Sequence, residues 1–213
     1  KEIMGEGINI ILIITVPATI GIILLAKPVV KIFFERGAFD ETATLMTSSA
    51  LVYYSLGLVG ASLRLMLNKV FYSFQDTKTP MINGALAVGL NIGLNLMLIK
   101  PMAHRGLALA TSISATFTTM LLFLELRKKI GSIGLKKHLV CFFKSLFASI
   151  IMGFVVYGMF FGLGNSLPDV KIFELMLLLL SIAIGGVTYF ILCSKLGIKE
   201  IRILFKVLFK KIG

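Results

Sequence analysis

Apolar stretches long enough to cross a lipid bilayer recur along this chain. A crossing helix needs about 20 apolar residues, and six stretches approach or exceed that length. Of the 213 residues 57% are hydrophobic, and the mean hydropathy is +0.96, far more than a water-soluble domain requires. We therefore predict an all-α integral membrane protein with six transmembrane helices, over residues 7–34, 45–67, 81–99, 106–124, 139–163 and 172–193.

The second apolar stretch, which begins at Leu45, is predicted to be one continuous crossing helix with a functional face. It is rich in small and hydroxylated residues, which belong where membrane helices pack on each other or line a wet cavity. A polar loop, residues 68–80, follows it. There we expect Thr79 to cap the third helix and Pro80 to take its first position, where the missing N–H costs nothing.

The loop between the first and second helices also has turn and cap signals. Gly37 is expected to take the left-handed conformation that ends a helix, and Asp40 is expected to cap the second one. In the fourth helix, serines and threonines cluster. Their hydroxyls can fold back onto the carbonyl groups of their own helix, so this cluster alone indicates little.

Three asparagines of the third helix, Asn83, Asn91 and Asn95, share one helical face, because offsets of eight and four residues return to the same side. The stripe favours either a polar surface along a substrate path or hydrogen bonds between helices. Gly89 and Gly93 add a GxxxG spacing, which permits close approach of another helix. The sequence leaves both interpretations of the stripe open.

Arg64 is the most conspicuous charge within a predicted span. An arginine at the bilayer centre costs about 2.5–3.5 kcal/mol on insertion scales, and less near the interface. It is either an anchor whose guanidinium reaches the headgroups or a gate residue that pairs with another part of the protein. Lys69 already anchors this end of the helix, so neither reading is preferred.

No group of residues suggests catalysis, a metal site or a cofactor. The two cysteines are far apart, and His104 and His138 lie in loops predicted on opposite sides of the membrane. The phosphate-binding pattern GxxxxGK[ST] is absent. The net charge of +12 comes from residues between the apolar stretches, which is typical of membrane-protein loops and does not indicate nucleic-acid binding.

The basic residues are distributed unequally between the two sides of the membrane. Both chain ends and the loops 68–80 and 125–144 share one side and hold fifteen Lys and Arg, whereas the opposite loops hold six. The positive-inside rule then places both ends in the cytoplasm. Residues 197–213 alternate apolar and basic faces, which predicts an amphipathic helix lying on anionic membrane lipids.

Three motifs resemble those of a known family. FERGAFDET (Phe34–Thr42), FYSFQDTKTP (Phe71–Pro80) and HRGLALATS (His104–Ser112) occur in an order and spacing similar to the MurJ/MviN family of lipid II flippases. That family belongs to the multidrug/oligosaccharidyl-lipid/polysaccharide exporter superfamily. The resemblance marks these loop residues as family positions: Arg36, Gly37, Phe39, Asp40, Asp76, Thr77, Thr79 and Pro80.

The resemblance implies that the chain is a piece of a longer protein. The family fold has two six-helix lobes around a central cavity and then two extra helices, and this chain resembles helices nine to fourteen. Residues 1–130 would be four helices at the end of the second lobe. Residues 131–196 would be the extra pair that forms a lipid-tail groove, and residues 197–213 a basic tail. The family's phosphate-binding cations would lie mostly outside this chain.

The implied function is to move undecaprenyl-pyrophosphate-linked peptidoglycan precursor, lipid II, across the bacterial inner membrane by alternating access. The implied partners are lipid II, anionic membrane lipids and a missing N-terminal lobe, with no cofactor. The alternatives are a flippase or exporter for another polyprenyl-linked glycan or a drug, and a membrane scaffold that transports nothing. An intramembrane enzyme is disfavoured because no catalytic groups lie deep in a span.

The six-helix topology predicts that the loops near Ser132 and Asn165 lie on opposite sides of the membrane. Single cysteines introduced there, in a chain without Cys141 and Cys193, should differ in labelling by a membrane-impermeant reagent applied to intact cells. The cysteine at Asn165 is expected to react and the cysteine at Ser132 to be protected. Equal labelling of both would contradict the topology.

Overall fold

The computed structural model describes residues 2–131, 134–164, 171–198 and 200–201, and the described part is entirely helical apart from short connections. Five helices are long and apolar enough to cross a membrane, or six if a bent pair counts as one crossing. The structure thus confirms a helical multi-pass protein. The helices are α1 (Glu2–Phe34), α2 (Glu41–Leu56), α3 (Leu58–Ser73), α4 (Lys78–Met102), α5 (His104–Ile130), α6 (Leu135–Gly164) and α7 (Lys171–Lys195).

Two helices, α1 and α5, organise the packing. Helix α1 contacts α2, α3, α6 and α7, and α5 contacts α2, α3 and α4. The order across the bundle is therefore α4, α5, the α2–α3 pair, α1, and then α6 with α7. Because α1 and α5 do not pack extensively on each other, the α2–α3 pair connects the two halves of the bundle.

The core beside α1 combines apolar packing with buried polar links. The Tyr189 hydroxyl of α7 donates to the Ile13 carbonyl of α1 at 2.8 Å and lies 2.6 Å from the Ser145 hydroxyl of α6. Cys141 and Cys193 are buried in the same core as free thiols, as expected for small hydrophobic residues. Ile198 and Ile201 also pack there. Lys199 and the part of the predicted amphipathic tail beyond Ile201 lie outside the described residues.

The prediction of one continuous second helix is wrong. The stretch forms α2 and α3, which meet at Gly57 with a 46° bend. Gly57 has right-handed φ and ψ angles of −86° and −6°, so the backbone itself is not strained there. The bend arises from contacts with α1 and α5, which are described below. Only together are the two halves long and apolar enough to cross a membrane.

The connection between α3 and α4 corrects the predicted cap. Gln75 has a positive φ of 58°, and the Asp76 N–H donates to the Phe71 carbonyl at 3.1 Å, which is the Schellman way of ending a helix. Thr79 does not cap α4. Its N–H and hydroxyl both donate to the Asp76 carboxylate, at 3.0 and 2.9 Å. Helix α4 begins at Lys78, so Pro80 takes its third position and not its first.

The connection between α1 and α2 follows the prediction. Gly37 has a φ of +59°, in the left-handed region that glycine adopts without steric cost. The Asp40 carboxylate accepts the N–H of Ala43 at 2.8 Å and so caps α2. Both features depend on residues within one turn, which explains why the sequence predicts them.

The GxxxG prediction fails on the described helices. Side chains added at Gly89 and Gly93 would meet no atom within 4 Å, so these glycines face away from α5. The close approach between α4 and α5 is made by Gly106, where a β-carbon would collide with the Leu98 carbonyl. Spacing alone could not distinguish the glycine that packs from the pair that does not.

Asp76 gives the connection between α3 and α4 a pH dependence. Hydrogen bonds from Lys129, at 2.7 Å, and from the Thr79 N–H and hydroxyl lower the pKa of its carboxyl from 3.8 to about 2. Because the folded state holds the ionised form, this contribution to stability is present above the unfolded value and is lost as pH falls through about 4 to about 2.

Asp76→Asn is therefore expected to lower stability at pH 7 and to flatten its decline between about pH 4 and pH 2. Thermal unfolding in detergent over this pH range provides the measurement. Glu125→Gln, which removes a carboxylate paired with Lys128 on the same helix, is the matched control. Parallel pH profiles for wild type and Asp76→Asn would contradict the assignment.

Candidate functional site

The bend between α2 and α3 is stabilised by hydroxyl groups from two neighbouring helices. The Ser112 hydroxyl of α5 donates to the Tyr53 carbonyl at 2.6 Å, and the Thr19 hydroxyl of α1 lies 3.3 Å from the Ser55 carbonyl. The Thr119 hydroxyl of α5 donates to the Gly60 carbonyl at 2.6 Å. In a membrane, backbone carbonyls freed by a break must be satisfied within the protein. These side chains satisfy them.

Two glycines allow α5 to come close enough for these hydrogen bonds. A β-carbon on Gly57 would lie 2.6 Å from the Ser112 α-carbon, and one on Gly60 would lie 2.9 Å from the Thr116 α-carbon. Both distances are too short for a real contact, and the obstructing atoms are backbone. Small residues at a helix interface are the usual way for membrane helices to pack closely.

The asparagine stripe contacts α5 through Asn91. Asn83 is buried, and the Asn91 amide nitrogen lies 3.4 Å from the Thr111 hydroxyl oxygen of α5. The Asn95 amide nitrogen donates to Asn91 Oδ1 at 3.0 Å. This arrangement fits the interhelical hydrogen-bonding interpretation. The group Asn83, Asn91, Asn95 and Thr111 is called the polar seam below.

The seam is incompletely satisfied among the described residues. Asn95 Oδ1 is buried and has no hydrogen-bond partner there. The Ser114 hydroxyl of α5, which is not part of the seam, is also buried without a described partner. Buried polar atoms without partners are uncommon and call for an explanation. Amide and hydroxyl oxygens accept hydrogen bonds and can coordinate hard cations. The seam can therefore receive a polar group that these seven helices do not supply.

Arg64 lies on α3, nine residues before its end at Ser73, or about 14 Å along the helix axis. Its side chain is half-buried, and no carboxylate within the described ranges forms a salt bridge with it. The Arg64 guanidinium is therefore partly exposed, and no described carboxylate neutralises its charge. The structure does not bring it into contact with the polar seam, which belongs to α4 and α5.

The family motif residues lie at opposite ends of the bundle. Arg36, Gly37, Phe39 and Asp40 are in the connection between α1 and α2, and Phe39 stacks against Phe34 with ring centroids 6.2 Å apart. The other group surrounds the connection between α3 and α4, where Lys129 joins Asp76. That second group comprises Asp76, Thr77, Thr79 and Pro80. Their described contacts cap helices and close turns, so they form no single site.

The hydroxyls of α5 have a role that the sequence alone did not indicate. Thr111, Thr116 and Thr118 fold back onto their own helix as expected. Ser112 and Thr119, however, reach another helix. A signal was available, because Ser112 and Thr119 are seven residues apart and therefore lie on the same face of α5. Recognising it requires knowing that α5 packs against the glycine-containing stretch that they contact.

A bent helix held by tertiary hydrogen bonds, beside an incompletely satisfied polar seam, defines a class of protein. Broken helices whose backbone groups are satisfied inside the protein are characteristic of membrane transporters. The fold and site therefore point to a multi-pass helical transporter.

The family model described as lipid II flippase MurJ matches residues 1–167. The chain belongs to this family. The probable lipid II flippase MurJ of Haemophilus influenzae is 37% identical over 157 residues, which cover 74% of this chain and 31% of that protein. The protein of the same name from Buchnera aphidicola subsp. Schizaphis graminum is 33% identical over 217 residues, covering 99% of this chain and 41% of its own length.

The solved structures include a close likeness in fold. A structure titled "Lipid II flippase MurJ, inward closed conformation" superposes with a TM-score of 0.73 at 27% identity, covering 91% of this chain and 39% of that one. The first four curated relatives are matched over only 24% to 41% of their length. The chain therefore corresponds to less than half of each relative.

The bend can be tested with two serines of the same helix. Ser112→Ala removes a donor to a backbone carbonyl and is expected to lower the free energy of unfolding by about 1–3 kcal/mol. Ser114→Ala removes a buried hydroxyl that has no described partner and is expected to be neutral or slightly stabilising. Thermal unfolding of the purified variants in detergent compares them. Equal stability of the two variants would show that Ser112 does not support the bend.

Proposed function

We propose that this chain forms the C-terminal part of a lipid II flippase, which moves undecaprenyl-pyrophosphate-linked peptidoglycan precursor from the inner to the outer leaflet of the bacterial inner membrane. The observation that carries the proposal is the family match over residues 1–167, together with the likeness to a solved flippase. The bent helix and polar seam support it, because both are features of proteins that move polar substrates through a membrane.

The proposed orientation has both ends of the chain in the cytoplasm. The connections at residues 74–77 and 131–134 and the end of α7 then face inward, while the connection at residues 35–40 and Ala103 face outward. The excess of basic residues on the inward side supports this orientation. "Inner" and "outer" are used below in this sense.

The proposed domain plan follows the packing. Helices α1–α5, within residues 1–130, would complete the second lobe around a central cavity. Residues 131–196, with α6 and α7, would form the groove for the lipid tail. Residues 197–213 would bind anionic lipids of the inner leaflet. The N-terminal lobe would supply the remaining wall of the cavity and the cations that meet the pyrophosphate.

Within this plan the candidate path residues have separate roles. The half-buried Arg64 of α3 would act as a gate by pairing with a carboxylate of the N-terminal lobe. Asn91 and Asn95 would present the polar seam to the cavity, and Asn83, which is buried, would mainly hold α4 against α5. The absence of a described carboxylate beside Arg64 supports the gate role, since the charge needs a partner or water.

The gate role predicts an order of activity at Arg64. In the full-length protein, Arg64→Ala is expected to abolish growth of cells depleted of their own flippase, and Arg64→Lys to impair it, because lysine lacks the planar fork for bidentate pairing. Arg127→Ala, which removes an exposed arginine at the inner end of α5, should support normal growth. Variants are compared at equal membrane abundance. Normal growth with Arg64→Ala would assign Arg64 to anchoring.

A further inference from the structure

A pocket of about 670 Å³ lies between the outer ends of α1, α2, α5, α6 and α7. This volume falls within the usual range of about 300–1,000 Å³ for small-molecule sites. It is distinct from the polar seam, which lies between α4 and α5. The charged groups that line it come from three helices: Lys27 and Lys31 from α1, Arg105 from α5 and Glu174 from α7.

Arg105 is positioned but not neutralised. Its Nε donates to the Ser49 hydroxyl at 3.0 Å, and the same hydroxyl lies 3.3 Å from Nε2 of His104. A guanidinium has five N–H donors in a fixed fork. No carboxylate in the described part of the chain forms a salt bridge with Arg105. The side chain is thus oriented by Ser49 and keeps donors for an anion.

The lysines differ in how firmly they are paired. Lys31 lies 3.0 Å from Glu174, whereas Lys27 lies 3.7 Å from Glu41 in a pair whose side chains are 53% and 74% exposed. A pair that is this open to solvent adds little stability and is easily exchanged for another anion. Among the described charged residues that line the pocket there are three cations and one carboxylate, and Glu41 pairs with Lys27 from outside this lining. The remaining positive charge of the described groups favours an anion.

An apolar crevice adjoins this cationic pocket. It lies between α1 and α6, has a volume of about 330 Å³ and is lined by Ile20, Leu24, Ile150, Gly153, Phe154 and Tyr157. Leu24 lines both spaces. Phe160 and Phe161 extend the apolar wall into the pocket itself. The combined shape suits a molecule with an anionic head and an apolar chain.

We propose that the outer pocket binds the diphosphate group of a polyprenyl-diphosphate lipid, with the adjoining part of its chain in the α1–α6 crevice. Arginine forms bidentate hydrogen bonds with phosphate oxygens, and Lys27 supplies a second cation from another helix. The inference rests on the proposed function for the identity of the lipid. It adds a binding station on the outer side, where the lipid rests after crossing.

Binding is measured by native mass spectrometry of the purified protein titrated with undecaprenyl diphosphate, with phosphatidylglycerol as competitor. Arg105→Gln is expected to weaken binding about tenfold, as for the loss of a charged hydrogen bond. Lys27→Gln is expected to weaken it by a smaller factor. Lys100→Gln removes an exposed cation near the outer end of α4 that does not line the pocket, so it should bind like wild type.

Glu174→Gln is expected to strengthen binding, which is a result that misfolding cannot produce. Removing the carboxylate from the pocket is expected to tighten binding about threefold, as for the energy of a partly exposed charge pair. If Arg105→Gln does not fold, Lys27→Gln and Glu174→Gln decide the question. Equal binding by Arg105→Gln and Lys100→Gln would overturn the proposal. Displacement of the probe by an equal concentration of phosphatidylglycerol would also overturn it, because the pocket would then accept any anionic lipid.

This readout is independent of transport. A full-length protein that binds the probe through Arg105 but does not flip lipid in vesicles would keep the outer site and contradict the proposed function. If the protein flips lipid and the Arg105→Gln variant binds the probe normally, the proposed function stands and the proposed site is contradicted. The two failures are therefore distinguishable.

Discussion

The backbone carbonyls around Gly57 need hydrogen-bond donors, and the interior of a membrane contains no water to provide them. Helix α5 supplies such donors through Ser112 and Thr119, and the Thr19 hydroxyl of α1 lies 3.3 Å from the Ser55 carbonyl. The requirement also explains why Gly57 and Gly60 face α5, since any side chain there would push the donors away. The bend, the hydroxyl groups and the glycines therefore form one contact region. The two halves of the bundle are joined there.

Helix α5 is polar on two sides, and each side has a different effect. Toward α2 and α3, its hydroxyls reach well-placed carbonyls and stabilise the bend. Toward α4, Thr111 lies beside Asn91 of the asparagine stripe, and the buried Asn95 Oδ1 of that stripe lacks a described partner. Lipid tails are as apolar as the helix surfaces, so burial of apolar area gives no net drive for helices to associate. Polar contacts and close packing then determine which helices are neighbours. Helix α5 takes part in both kinds of contact.

Local rules were enough for some features of this fold and failed for others. The apolar stretches, the left-handed Gly37 and the Asp40 cap depend on a few neighbouring residues, and all were predicted. The bend at Gly57 was missed because it depends on Ser112, which is more than fifty residues away in sequence. The α4 cap was misassigned because Asp76 and Thr79 are both good capping residues, and the sequence does not show that the Asp76 carboxylate accepts from Thr79 and also from the distant Lys129. The outer pocket combines side chains from five helices, so no contiguous motif could reveal it.

The hydrogen bonds of Asp76 have a mechanical consequence. This residue closes the end of α3, caps α4 and holds Lys129 from the last turn of α5. A displacement of any one of these helix ends is therefore resisted by contacts with the other two. At the opposite end of the bundle, Glu35 has a similar part, because its carboxylate accepts from Thr44 of α2 and its carbonyl accepts from Lys171 of α7. The bend at Gly57 lies along the chain between these two fastened ends, where the second crossing is interrupted.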